Sequence, residues 1–302
     1  MPVKTGRTDQ NATIHIDFTR CTSCGLCVKV CKGGPLYLEE GRLAVNAEQG
    51  VGCFACGHCA AICPQNCITI EGRDLTAGDI VPIPSKESRA SYDQLYSLLL
   101  TRRSIREFVD REVSQETVDK ILRAASTAPM GIPPSDVGVL IFQGFEKVQA
   151  FKKDMLVALQ AMRKVFSGPM LTLWRPFIGK EACELFETFL LPAIDGYLQK
   201  DQEGGDWFSY GAPLGMLFYG SAYSDPTDSV IAATYAMIAA ESLGLGSCIL
   251  GFPAPILKRN KKLAAKYKLP PKAQPGMMVI FGYPAVKFQR AIQRRFAKTQ
   301  IP

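Results

Sequence analysis

The sequence predicts an α+β protein built from two unequal units, and two observations carry that reading. Eight of the 11 cysteines fall in a doubled run within residues 21–63, flanked by apolar stretches only long enough for small strands. From Ser91 onward the pattern changes to long helical stretches alternating with short strands, which argues for a layered domain. A length of 302 residues suits two domains. The expected division is a cysteine-rich unit at 12–72, a linker at 73–90 and a larger domain at 91–296.

The first unit reads as an internal repeat. The spacing C-x2-C-x2-C-x3-C occurs as Cys21, Cys24, Cys27 and Cys31. It recurs as Cys53, Cys56, Cys59 and Cys63, followed by Pro64. Apolar stretches at 14–18, 36–38, 43–45 and 68–70 are the expected strands. So small a unit builds little hydrophobic core, so whatever the cysteines bind must staple it. The polar, proline-containing stretch after it reads as a linker.

In the second unit, residues 91–100 show helical spacing, and 114–126 form a second helix with Ser114 as its N-cap. Residues 137–142 read as a buried strand. The segment 145–200 is mostly helical, with an expected interruption at 167–179. A strand at 214–219, a long apolar helix at 226–243 and a strand at 247–250 follow. A basic helix at 255–267 and a strand at 277–282 complete the domain.

Composition narrows the function classes. The chain is 47% hydrophobic and 21% charged, the balance of an ordinary soluble protein. No signal-like apolar run opens it and no apolar stretch is long enough to span a bilayer. The nearest, at 230–240, is better explained as a buried helix. Free thiols require a reducing compartment, so a cytoplasmic location is expected, in a low-oxygen host. The formal net charge is +7. Its one basic group, Lys287, Arg290, Arg294, Arg295 and Lys298, lacks interleaved stacking aromatics, which favours a phosphorylated cofactor over nucleic acid.

The doubled cysteine run is the ligand pattern of bacterial ferredoxins that carry two 4Fe–4S clusters. In that pattern a tight loop aims three thiolates at one cubane, and the fourth cysteine serves the other. Cluster I would then be held by Cys21, Cys24, Cys27 and Cys63, and cluster II by Cys53, Cys56, Cys59 and Cys31. Zinc knuckles or disulfides are the bland alternative, but zinc sites pair C-x2-C motifs across longer gaps. Lys32 stands after Cys31 where bacterial ferredoxins often have proline, which implies only a local change in loop shape.

The segment Arg102-Arg103-Ser104-Ile105-Arg106-Glu107-Phe108 resembles the start of the flavin-dependent nitroreductase family. Ala128-Pro129-Met130-Gly131 resembles its next signature. Ala239 to Cys248, continuing Ile249-Leu250-Gly251-Phe252, resembles a later one, and Phe281-Gly282-Tyr283-Pro284 the last. Four motifs in order cover roughly residues 91–296, so the chain resembles a ferredoxin–nitroreductase fusion. The resemblance implies an α+β FMN domain and a homodimer with FMN at the interface, for which the helix at 226–243 offers surface. A phosphate needs forked, permanently cationic donors. Arg102, Arg103, Ser104 and Arg106 would supply them, with Arg294 or Arg295 closing the site. Ile249, Leu250 and Gly251 resemble the segment whose backbone runs beside the isoalloxazine, and Pro129, Met130 and Gly131 the Ala-Pro turn. Where relatives carry an Asn and later a Gln-Pro-Trp, this chain reads Ile132-Pro133-Pro134-Ser135. Prolines donate no backbone hydrogen bond, so Ser135 is the candidate replacement.

Cys67, Cys183 and Cys248 lie outside the runs and read as small buried hydrophobes, Cys248 being placed near the flavin by the resemblance. His15 and His58 have no partner pattern for catalysis. Trp174, Phe177, Trp207 and Tyr210 could form a substrate lid or helix-packing core. The leading function is a flavin-dependent oxidoreductase. Electrons would arrive singly through the clusters, from a low-potential ferredoxin or a similar donor. They would leave as hydride to a small electron-poor acceptor, a nitroaromatic, a quinone or an activated alkene. The rival is a non-catalytic electron carrier or redox sensor, which needs no substrate cavity over the flavin.

Overall fold

The computed structural model describes residues 2–166 and 168–301, with the backbone alone at 168, 169, 172 and 174. In the first unit, β1 (Thr13–Ile16) pairs antiparallel with β4 (Ile68–Glu71), and β2 (Leu36–Glu39) with β3 (Arg42–Val45). Helices α1 (Leu26–Val30) and α2 (His58–Ile62) follow the two cysteine loops. The repeat extends to the backbone. Ser23 and Ala55 both adopt positive φ (51° and 57°), as do the helix-leading Gly25 and Gly57 (73° and 76°). The small core holds Leu36, Leu43, Ile68 and Ile70 together with buried Cys27, Cys59 and Cys67.

The second unit is layered on a four-stranded antiparallel sheet of order β5–β6–β8–β7: β5 (Gly138–Gln143), β6 (Leu214–Gly220), β8 (Gln274–Gly282) and β7 (Gly246–Leu250). The central strands β6 and β8 are covered on both faces, which is why they read as continuous apolar runs. Successive residues of β6 serve opposite cores. Leu217 joins Met278, Ile280 and Phe142 under α5 (Phe145–Val165), α8 (Leu191–Gln202) and α10 (Pro253–Arg259). Met216 and Phe218 join Val279 and Phe281 under α4 (Gln115–Ala125) and α9 (Asp228–Ser242). Each such buried side chain contributes about 1.5–3 kcal/mol relative to exposure. Helix α3 (Tyr92–Thr101), capped by Ser91 and Gln94, buries nothing: Tyr92, Leu95, Tyr96 and Leu99 all face outward.

Two stretches differ from the sequence expectation. Residues 168–178 are not an interruption but a helix, α6 (Gly168–Ile178), which carries Pro176 within it and gives way at Gly179 (φ 84°). Helix α7 (Lys180–Leu185) then runs through a π-helical stretch, Phe186–Leu190, into α8. The basic helix at 255–267 is two helices, because the Asn260 side chain accepts the Leu263 N–H at 3.0 Å and starts a second one, α11 (Lys261–Lys266). No helix among the described residues is long and apolar enough to cross a membrane.

Candidate cluster sites and active site

The repeat's loops and helices bring the eight cysteines together in two groups of four. Cys21, Cys24, Cys27 and Cys63 line one small cavity. Cys31, Cys53, Cys56 and Cys59 line another, with the exposed His58 at its edge. Each group draws three thiols from one loop and the fourth from the end of the other helix. Burial pushes the Cys59 thiol up to about 12, and the neighbouring Cys53, Cys31 and Cys56 push the same way. Four thiolates converge here only if a cationic centre lies among them, as thiolate-bound iron provides. The donor set therefore fits a cluster. A fifth cysteine, Cys67, reaches the first cavity with its sulfur 3.4 Å from that of Cys63. Its position after the run gave no signal of this.

In the larger unit, three of the four sequence motifs meet edge to edge. Ser104 bridges to Ser247 in parallel, Phe108 pairs with Pro284, and Gly246 lies opposite Gly282. A Cβ on Gly246 would come within 2.4 Å of Ile105, so only glycine lets the arginine-rich segment lie this close to β7. Where they meet, a cavity of about 1320 Å³ opens on the α5–α8 face of the sheet. Arg106 and Cys248–Gly251 line it together with the apolar Met162, Phe186, Phe189, Tyr197 and Phe208, and with a second basic group, Arg259, Lys261 and Lys262. The volume exceeds the ~300–1,000 Å³ typical of a single ligand pocket.

The polar end of the cavity is cationic. Cys248 sits there, pushed up by burial but pulled back by the Arg106 charge, by hydrogen bonds from Ser104 and Arg106, and by the Arg102 charge. Arg102, Ser104 and Arg106 thus all act on one thiol, and of the three Arg106 lines the cavity itself. None of the ion pairs among the described residues involves Arg106, so its charge is available to an anion, whereas the Arg102 charge also acts on Glu241. Arg106 also stands 5.9 Å from the ring centroid of Tyr210. Tyr210 is held by a loop that Asp206 organises. Its carboxylate accepts the N–H groups of Phe208, Ser209 and Gly211, the Ser209 hydroxyl and the Gln149 amide.

Other residues singled out in the sequence lie elsewhere. Arg103 turns away, donating to the Arg290 carbonyl at 2.8 Å and packing over Phe288. Arg294 is exposed in the C-terminal segment, off the cavity. Pro129, Met130 and Gly131 do not line this chain's cavity; the Gly131 N–H donates to Asp228 at the start of α9. The Ser135 hydroxyl accepts the Val137 N–H. Of the four lid aromatics, Tyr210 lines the cavity, Trp207 and Phe177 stand outside it, and the Trp174 side chain lies outside the described residues. Cys183 is buried in the core, and the exposed His15 lies 3.6 Å from Glu71. Tyr197 and the π-helical Phe186 and Phe189 were missed, because aromatics at helical spacing read equally well as core.

The signature described as "Nitroreductase family" matches residues 99–283. The chain belongs to the nitroreductase family. A second signature, a 4Fe–4S binding domain, matches residues 14–37, so this nitroreductase is an oxidoreductase joined to a ferredoxin-like N-terminal domain. A nitroreductase with bound FMN from Bacteroides fragilis shares the fold, with a TM-score of 0.52 at 14% identity. The match covers 69% of this chain and 99% of that one. The N-terminal unit is similar to Ferredoxin-3 of a Nostoc species, 36% identical over 70 residues, 18% of this chain and 72% of that protein. It is also similar to an uncharacterized ferredoxin of Methanocaldococcus jannaschii, 39% identical over 62 residues, 19% of this chain and 77% of that protein. An archaeal-type glutamate synthase of Thermotoga maritima is 34% identical over 70 residues, 23% of this chain but only 13% of the synthase's length.

Proposed function

We propose that this nitroreductase is an FMN-dependent enzyme that takes single electrons through two 4Fe–4S clusters and reduces an electron-poor small molecule. The observation that carries the reading is the position of Arg106 in the wall of the large cavity beside Cys248, a thiol on which Arg102 and Ser104 also act. Those residues would hold the FMN phosphate, which suits permanently charged, forked donors. The Ile249–Leu250–Gly251 backbone would run beside the ring system. Bound there, FMN would supply hydride transfer, and the two cysteine sites would supply one-electron transfer.

The protein's own work is binding, orientation and exclusion of water. The wall formed by Phe186, Phe189, Tyr197 and Phe208 suits a flat acceptor such as a nitroaromatic, quinone or activated alkene. Because Met162, Phe186, Phe189, Tyr197, Phe208 and Tyr210 line an open cavity that also holds Arg106, the enzyme reading is favoured over a carrier, which needs no such space. Tyr210, beside Arg106, is a candidate to orient the acceptor. The outward apolar residues of α3, with Tyr235 of α9, support a homodimer built through this face. A reducing, cytoplasmic setting suits the free thiols. The test is an anaerobic acceptor screen with protein reduced by low-potential ferredoxin, followed at the flavin band. Reoxidation by at least one of the three acceptor classes is expected; flavin that no acceptor reoxidises would refute the enzymatic reading.

A further inference from the structure

Arg73, at the junction of the two units, is 5% exposed. Its Nη1 donates to the carbonyls of Val3 and Gln10, each at 2.7 Å, and its Nη2 to the carbonyl of Pro133 at 2.6 Å. Two residues beyond Gln10, the Ala12 N–H donates to the Cys53 carbonyl at 2.8 Å, which ties the segment held by Arg73 to the second cysteine site. Asp136 accepts the Gly6 N–H and, at 2.7 Å, the Ser221 hydroxyl. One buried guanidinium therefore fastens the N-terminal segment, the second cysteine site and the 133–136 loop together. Burial without this set of partners would be costly.

The loop so engaged is not part of this chain's own cavity. It precedes β5, whereas the cavity opens at the end of β7; these are opposite edges of the sheet, three strand spacings or about 14 Å apart. It also lies on the other face. Ala128 and Val137 pack in the α4–α9 core, and the cavity belongs to the α5–α8 core. Helix α9 links the two neighbourhoods. Its start, at Asp228, holds Gly131, and near its end Glu241 feels the Arg102 charge. Two copies packed about a two-fold axis, with α9 antiparallel to its mate, would bring the loop of one to the cationic end of the other.

We propose, resting on the dimeric flavoenzyme reading above, that the Cys31/Cys53/Cys56/Cys59 site of one copy serves the FMN site of the second copy. Arg73 is the positioning residue that fixes this route. An external one-electron donor would supply the cysteine site, and two such electrons with a proton from water would reduce the other copy's flavin.

Mixed dimers of differently tagged chains test this, with flavin reduction by ferredoxin read from absorbance under anaerobic conditions. Pairing a Cys59→Ser chain with an Arg106→Ala chain shown to be flavin-free leaves one intact cysteine site facing one intact flavin site. The flavin should bleach at about the wild-type rate per flavin. Placing both substitutions in one chain, opposite a wild-type chain, should slow bleaching at least tenfold. The opposite pattern would overturn the proposal in favour of transfer within one chain. A monomer by light scattering would overturn it through the dimer reading instead. An Arg73→Met chain should keep its flavin and its cluster signals by electron paramagnetic resonance, exchange amide hydrogens faster at residues 2–10 and 131–136, and bleach more slowly. Unchanged exchange with an unchanged rate would remove Arg73 from the route.

Discussion

The Ile105 N–H donates to the Ser247 carbonyl at 3.0 Å, joining segments of the chain 142 positions apart. That bond fixes the arginine-rich segment beside β7 and brings Arg106 to the cavity, with Arg102 and Ser104 acting on the Cys248 thiol beside it. Replacing Arg106 with Ala should weaken flavin retention roughly ten- to a hundredfold, the worth of one charge-assisted hydrogen bond. Flavin content after gel filtration checks this; retention equal to wild type would remove Arg106 from the phosphate site.

The two four-cysteine cavities imply a metal content. Purified anaerobically, the protein should carry about eight iron and eight acid-labile sulfide per chain. Stoichiometric zinc with little iron would reassign both sites.

A pH dependence follows from Asp206. Although burial pushes its carboxyl up, hydrogen bonds from Ser209 and Gln149 and from the loop's N–H groups hold it below the usual carboxylate value. The stability it contributes is present above its unfolded value and is lost as pH falls through its folded one. Asp206→Asn should destabilise the protein by about 1–3 kcal/mol at neutral pH, and by progressively less in acid. Thermal denaturation from pH 7 to pH 3 measures this; a difference that grows in acid would contradict the assignment.

Helix α3 presents Tyr92, Leu95, Tyr96 and Leu99 to the outside, with Tyr92 75% exposed. A helix with this much outward apolar surface is expected to be covered in solution. Light scattering should give twice the chain mass, and Leu95→Glu combined with Leu99→Glu should shift the protein toward monomer. A wild-type monomer that retains flavin would contradict the dimer.

Much of this was legible in the sequence because the chemistry demands fixed spacings. The spacing of the cysteine runs anticipated which four thiols share a cavity, and the Arg-Arg-Ser-Ile-Arg segment contributes Arg106 to the lining of the large one. Arg103 was not separable from its neighbours, since only the tertiary approach of the Arg290 carbonyl draws it away from Cys248. Cys67 gave no sign of joining a cluster cavity, because its approach depends on how β4 closes the unit. The helix at 168–178 was missed for its glycine and prolines, which local rules read as a break. Arg73 looked like the start of a polar linker. Its burial arises from three carbonyls contributed by distant segments, and no local pattern encodes them.

In the proposed enzyme, electrons reach the flavin by way of the cysteine sites. The most direct test is anaerobic stopped-flow reduction of the flavin by reduced ferredoxin, comparing wild type with Cys59→Ser at equal flavin content. The variant should keep its flavin and be reduced by dithionite at nearly the wild-type rate, but be reduced by ferredoxin at least tenfold more slowly. Ferredoxin-driven reduction at the wild-type rate would contradict it, and the flavin would then be reduced directly.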